Sequence, residues 1–234
     1  MSRWQEVWER KGGGTAVHSG LSELLARDGF DSGPAAITEE TWRRYVRWVA
    51  AAVPIGKADR VLEIGCGAGA FLCALAENTP DVAGTDFSAS LIAVAQRAIP
   101  EGTFAVEEAR DLRKRPAGYD VVLTNSVFQY FPNFAYAQDV MTAMVEHAAR
   151  AVAILDVYDE QRRQAMAETR RKFLGTAGFQ HKYEGLDHLY FNRDWFRQQA
   201  EALNCDIEVF DQPAWLCDLS EYRFSVVMHK KRNG

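Results

Sequence analysis

The chain has 234 residues and a formal net charge of −5, with 47% hydrophobic and 25% charged residues. That length suits one α/β domain with modest additions, the composition excludes long disorder, and the acidic balance offers nucleic acid no electrostatic footprint. No apolar run reaches the ~20 residues needed to span a bilayer. The charged start MSRWQEVWERKGGG also lacks the apolar core of a secretory signal, so the expectation is a cytoplasmic protein without membrane contact. The short basic runs RDLRKRP (Arg110 to Pro116) and HKKRNG at the C-terminus read as solvated surface. Cys66, Cys73, Cys205 and Cys217 form neither CxxC pairs nor a zinc-ligand cadence, so reduced thiols and no metal site are expected.

The front end reads as helices. RWQEVWER places Trp4 and Trp8 one helical turn apart, and TEETWRRYVRWVAAAV starts at Thr38, a suitable N-cap. RVLEI is the first strand, and the helix AFLCALAEN opens inside a glycine loop. DVAGTD is a short second strand ending at Asp86, followed by the helix SASLIAVAQRAI with Ser88 as cap. TFAVEEA reads as a third strand, YDVVLTNS as a fourth, and AVAILDV as a fifth after the helix AYAQDVMTAMVEHAAR. Roughly fifty residues then precede the next strand-like run, more than one crossover helix requires. They include the polar helix DEQRRQAMAETRRKFL and the segment GTAGFQHKYEGLDHLYF. CDIEVF and YRFSVVMHK close the chain as an antiparallel hairpin, since no crossover helix lies between them.

Strands alternating with helices in this cadence predict a Rossmann-like parallel sheet covered on both faces. Such sheets bind ligands at the carboxyl ends of their strands. Glu63, Asp86, Glu108, Asn125 and Asp156 all fall at or just beyond predicted strand ends.

The stretch VLEIGCGAGAF, Val61 to Phe71, needs a ligand that approaches bare backbone. As a dinucleotide fingerprint it scores on Gly65, Gly67 and Ala70, with Asp86 about twenty residues on. Against this stands Glu63, two residues before the first glycine, which would repel a pyrophosphate by ~1 kcal/mol or more. The same carboxylate suits a ligand that carries an amino group and a sulfonium. An NAD(P) oxidoreductase is thus the weaker reading.

Four segments together resemble the class I S-adenosylmethionine-dependent methyltransferases, from about Val61 to the C-terminus. LEIGCGAG is similar to that family's E-x-G-x-G-x-G loop, GTDFS to its ribose acid with a following apolar residue, VEEARDL to its adenine segment, and YDVVLTNSVFQYF to its fourth strand and beyond. The resemblance implies a seven-stranded sheet with an antiparallel last strand. It also implies S-adenosylmethionine as methyl donor and S-adenosylhomocysteine as product.

By the same resemblance, Gly65, Cys66, Gly67 and Gly69 would lie along the methionyl part of the donor, with Glu63 at its ammonium end. Asp86 would accept from the ribose hydroxyls, Phe87 would lie against the adenine, and Glu108 with the Ala109 backbone N–H would meet the adenine edge. Neighbouring Glu107 leaves that register open by one. Asn125 would stand near the amino-acid moiety.

Methyl transfer from a sulfonium is an in-line displacement in which the protein mainly aligns the partners. The acceptor site should therefore come from additions to the core: N-terminal helices over 1–54 acting as a lid on a 55–234 core, and an insertion at about 157–191. Trp8, Gln129, Tyr130, Tyr183 and Tyr190 are the candidate acceptor residues. His188 is the candidate catalytic base, with a pKa near neutrality. His18 is a weaker candidate, His147 reads as structural, and GFDSG (Gly29 to Gly33) as a hinge. SVFQYF lacks the N-P-P-Y type of motif that holds planar nitrogens in nucleic-acid and protein amide methyltransferases, which points to an oxygen or nitrogen of a small molecule. The expectation is a monomer or homodimer, with natural-product tailoring as an analogous setting. The alternative is a protein that binds the donor without turnover, as a regulator.

Overall fold

The computed structural model describes residues 3–13, 20–31 and 33–231, apart from the Lys182 side chain. His18 lies outside the described residues, as do Gly14 of the glycine run, Ser32 of the expected hinge and the last three residues. Helices α1 (Arg3–Gly12), α2 (Leu21–Arg27) and α3 (Glu39–Ala52) precede the first strand. Then β1 (Val61–Ile64), α4 (Ala70–Ala76), β2 (Val82–Asp86), α5 (Ala89–Ala98), β3 (Thr103–Val106), β4 (Tyr119–Asn125), α6 (Phe134–His147) and β5 (Ala148–Tyr158) alternate. Helices α7 (Arg163–Tyr183) and α8 (Arg193–Ala202) follow, and β6 (Cys205–Asp211) and β7 (Arg223–Lys230) end the chain.

The seven strands form one sheet in the order β3-β2-β1-β4-β5-β7-β6. Pairings among β1 to β5 are parallel, whereas β7 runs antiparallel to both β5 and β6. The strand order reverses at β1, whose two neighbours are β2 and β4. The loops after β1, β2 and β4 therefore open at the same edge, where ligands of such sheets bind.

Local chemistry sets the helix starts. Thr38, Ser88 and Asn133 each accept a backbone N–H three residues on, at 3.2, 3.2 and 2.9 Å, so each cap satisfies a donor the helix leaves unpaired. Alternation along the strands divides the apolar side chains between two faces. Val61, Val121, Leu123 and Ala153 join α2 to α5 on one face, and Leu62, Ile64, Val122 and Ile154 join α6 and α8 on the other. Glu63 has the parity of Val61 and so faces the α3–α4 side. Helix α3 is built into that face: Trp42, Tyr45 and Val49 are fully buried, and Trp42 Nε1 donates to the Ala70 carbonyl at 2.9 Å.

Three elements depart from the sequence expectation. The third strand stops at Val106: the Glu107 N–H makes the last bond of the ladder, to the Asp86 carbonyl, and the chain then turns into a 3₁₀ segment at Ala109–Lys114. The polar helix after β5 continues to Tyr183 through a kink at Gly175, whose φ of 71° and ψ of 160° only glycine adopts without strain. Strand β5 carries an irregularity between Ile154 and Val157, where Asp156 takes a φ of 60°. Among the described residues no helix is long and apolar enough to cross a membrane.

Candidate functional site

A cavity of about 700 Å3 opens at the carboxyl ends of β1, β2 and β4 and is roofed by α1. Its floor is the loop after β1. The N–H groups of Gly65 and Cys66 both donate to the Thr85 carbonyl, at 2.7 and 2.9 Å, which ties the loop to β2. At Gly67, φ is 54°, and a Cβ there would run into the Asp28 carboxylate. Gly69 has another purpose. It does not line the cavity, and a Cβ on it would press on Ala95 of α5 at 3.2 Å, so it lets α4 pack rather than touching a ligand.

Three carboxylates converge on this floor: Glu63 from β1, Asp86 from β2, and Asp28 from the residue after α2. Asp86 accepts from Gly67 N at 3.0 Å and Ser88 N at 2.9 Å. Asp28 accepts from Ala68 N at 2.6 Å and Ala70 N at 3.1 Å. Glu63 is 2% exposed, and its Oε2 has no hydrogen-bond partner among the described residues. Burial pushes all three up: Asp28 to about 7, Asp86 to about 6, and Glu63 well above its usual range, with repulsion from Asp28 and Asp86 adding to the last. A carboxyl whose pKa rises on folding stabilises the fold while protonated, and that contribution is lost as pH climbs through its folded value. Asp28→Asn is therefore expected to melt progressively later, relative to the unsubstituted chain, as pH rises from about 5 to about 8. Paired melting curves check this, and a difference independent of pH would contradict it.

At the far wall, Glu108 accepts from Gln5 Nε2 of α1 at 2.7 Å and from Tyr136 Oη at 3.3 Å. Glu107 instead pairs with Arg115 at 3.2 Å. The register left open in the sequence is thus divided: one glutamate bonds the roof, its neighbour an arginine. Phe87, Ala109 and Asn125 also line the cavity, and Asn125 Oδ1 accepts from Tyr45 Oη at 2.9 Å.

The roof and the remaining side are aromatic. Trp4 meets Tyr130 and His188 with ring centroids 4.7 and 4.6 Å away, Trp8 meets Tyr130 at 5.4 Å, and Trp4 Nε1 donates to the Asp187 carbonyl at 2.7 Å. Trp8, Tyr130 and His188 all line the cavity. The imidazole, however, does not titrate near neutrality. Burial, together with the guanidinium groups of Arg170 and Arg223, pushes its pKa down to about 3, so the ring is neutral and weakly basic.

Other sequence candidates stand outside the wall. Gln129 is fully buried; its Nε2 donates to Ser126 Oγ at 2.8 Å and its carbonyl accepts from Leu189 N at 2.9 Å. It braces the loop after β4 against the segment that carries His188. Tyr183 and Tyr190 face Arg170 behind the wall and do not line the cavity. Asp156 sits within β5, bound by Arg223 at 2.7 Å and Gln212 Nε2 at 2.9 Å, and is a buried ion pair rather than a cavity residue. His147 bonds the Ala143 and Arg115 carbonyls, as expected of a structural histidine. Asp28, Gln5 and Trp4 are wall residues absent from the sequence candidates. Asp28 carried no signal beyond being an acid after a short helix.

The sheet order, the glycine loop and the acids on β1 and β2 define the class I methyltransferase fold. Residues 61–153 match the family model described as a methyltransferase domain. NodS, an N-methyltransferase of Bradyrhizobium japonicum solved with S-adenosylhomocysteine, shares the fold with a TM-score of 0.64 at 15% identity, over 97% of this chain and 98% of NodS. Among curated proteins, a trans-aconitate 2-methyltransferase of Rhodopseudomonas palustris is 33% identical over 125 residues, 52% of this chain and 48% of the relative. The nonribosomal peptide synthetase CymA of Salinispora arenicola is 27% identical over 243 residues, covering 98% of this chain but 3% of CymA. The chain thus spans about half of the trans-aconitate methyltransferases it matches and a small fraction of the synthetase.

Proposed function

We propose that this chain is an S-adenosylmethionine-dependent methyltransferase that methylates an oxygen or nitrogen of a small molecule. The observation that carries the reading is Glu63 Oε2, a buried carboxylate oxygen without a partner facing the cavity beside Asp86 and the bare backbone at Gly67. A dinucleotide would set a diphosphate against those acids, whereas a ligand with an ammonium and a sulfonium relieves them. The methyltransferase relatives support the same reading. Bound here, S-adenosylmethionine supplies an electrophilic methyl group.

This chain's residues then bind, orient and exclude water. Glu63 takes the ammonium, Asp86 the ribose hydroxyls, and Gly65 and Gly67 leave their backbone open to the methionyl part. Glu108 and the Ala109 N–H hold the adenine edge, with Phe87 against its face; to do so, Glu108 shares or gives up its bond to Gln5. We place the acceptor between Trp4, Trp8, Tyr130 and His188, with α1 as the moving part of the lid and α3 as its fixed base.

His188 acts there as a neutral hydrogen-bonding ring that positions the acceptor. Calorimetry with S-adenosylmethionine, S-adenosylhomocysteine and NADP tests the donor site; tight NADP binding without affinity for the other two would overturn the proposal. Release of S-adenosylhomocysteine across a panel of small amines, phenols and carboxylic acids tests turnover, and a protein that binds but never releases it would be a regulator. His188→Gln is expected to raise the acceptor KM about tenfold or more, from loss of an aligned hydrogen bond. Donor affinity should hold, and neither enzyme's kcat/KM profile should show an imidazole limb between about pH 6 and 8. Such a limb in the unsubstituted enzyme, gone in the variant, would restore the general-base role.

A further inference from the structure

We propose that Asp28 is a third acid of the donor site and makes that site selective for charge. Together with Glu63 and Asp86 it favours the cationic donor over the neutral thioether product, so that methyl transfer itself loosens the product. The inference rests on the donor-site reading above and concerns a residue outside the motifs that suggested it.

Asp28 comes from the N-terminal segment, not from a strand end. Its two oxygens are spent on the N–H groups of Ala68 and Ala70, which fixes the carboxylate against Gly67 at the cavity floor. None of the three acids is held in an ion pair with an arginine or histidine among the described residues. Lys11 of α1 favours the charge of Asp28, but by less than burial or Asp86 opposes it. Glu9 and Glu108 add further negative field at Asp86, and the buried Cys66 thiol between the glycines is held protonated by burial and by the same acids. Among the described residues no group of acids, histidines or cysteines is arranged to hold a metal ion.

The chemistry supplies such a cation and then removes it. In the transfer the acceptor's lone pair forms the new bond to carbon while the S–CH3 bond breaks and leaves its electron pair on sulfur. The sulfonium becomes a neutral thioether, and the positive charge departs with the acceptor or as its proton. The acids therefore face two positive centres before transfer and one afterwards. At an effective dielectric near 20, loss of one of two positive charges beside ionised carboxylates is enough for about a tenfold difference in affinity.

Titration calorimetry at about pH 8 with S-adenosylmethionine and with S-adenosylhomocysteine tests the idea. The unsubstituted protein is expected to bind the cation about tenfold more tightly. Asp28→Asn removes the charge, keeps one oxygen for one of the two backbone N–H groups, and is expected to cut that preference at least about fivefold, chiefly by weakening the cation. An equal ratio in both proteins would mean that Asp28 only caps the loop. If neither ligand binds the unsubstituted protein, it is the donor-site reading that has failed. Should Asp28→Asn not fold, the unsubstituted protein still decides through its proton count in buffers of differing ionisation enthalpy at about pH 6.5. The cation must displace more protons than the thioether does, because it must ionise the acids that burial holds protonated. Equal proton release overturns the proposal.

Discussion

Gly67→Val is expected to abolish binding of S-adenosylmethionine while leaving a folded protein. Residue 67 has a φ of 54°, a region where a β-branched side chain is strained by ~1–3 kcal/mol. Its Cβ would also occupy the position of the Asp28 carboxylate, so Asp28 must leave the Ala68 and Ala70 N–H groups it now satisfies. The damage falls on the floor of the cavity and not on the core, since Gly67 lies in the loop after β1, outside the strands, and its N–H bonds the Asp86 side chain. Calorimetry should find affinity reduced by about 100-fold or more, the combined effect of strain and a lost wall. Circular dichroism should show helix and strand unchanged, with melting lowered by a few degrees. A variant that binds S-adenosylmethionine normally would place the donor elsewhere.

The second large effect is on stability, and it belongs to an acid that looked like a site residue. Asp156→Asn is expected to destabilise the fold by ~3–5 kcal/mol, because it leaves Arg223 charged, buried and without its counter-ion. Asparagine tolerates the positive φ of residue 156 and keeps an oxygen for Gln212, so the loss isolates the charge. For a chain of this size that corresponds to a fall in melting temperature of roughly 6–20 °C. Combining it with Arg223→Met should recover much of the loss, since removing both ions costs less than orphaning one. Donor affinity should not change, because Asp156 lies outside the cavity wall. A stable single variant with impaired binding would return Asp156 to the site.

Why Asp156 misled is instructive. Five polar residues at strand ends appeared to share one purpose, and for Glu63, Asp86, Glu108 and Asn125 the cavity unites them. Asp156 has the same sequence context, but β5 runs on past it to Tyr158 and pairs with β7, whose Arg223 claims the carboxylate. Nothing in a local window announces a partner 67 residues away. His188 shows the same limit in electrostatic form. Its aromatic surroundings were legible, yet its low pKa comes first from burial and then from Arg170 and Arg223, two cations brought beside it only by folding. Tyr183 and Tyr190 were credited to the cavity because they share a segment with His188, but they turn toward Arg170 behind it.

By itself the sequence determined the sheet, the edge at which the cavity opens and the acids at the ends of β1 and β2. These are written in short-range signals: the period of apolar residues, caps at Thr38 and Ser88, and glycines where backbone must take positive φ. Only the tertiary structure decided which side chains meet across the cavity. It brought Asp28 onto the glycine loop, laid Trp4 and Gln5 over the mouth, packed Gly69 against Ala95 of α5, and made His188 neutral. Burial and long-range charge are sums over the whole folded chain, and no stretch of residues contains them until the chain has closed on itself.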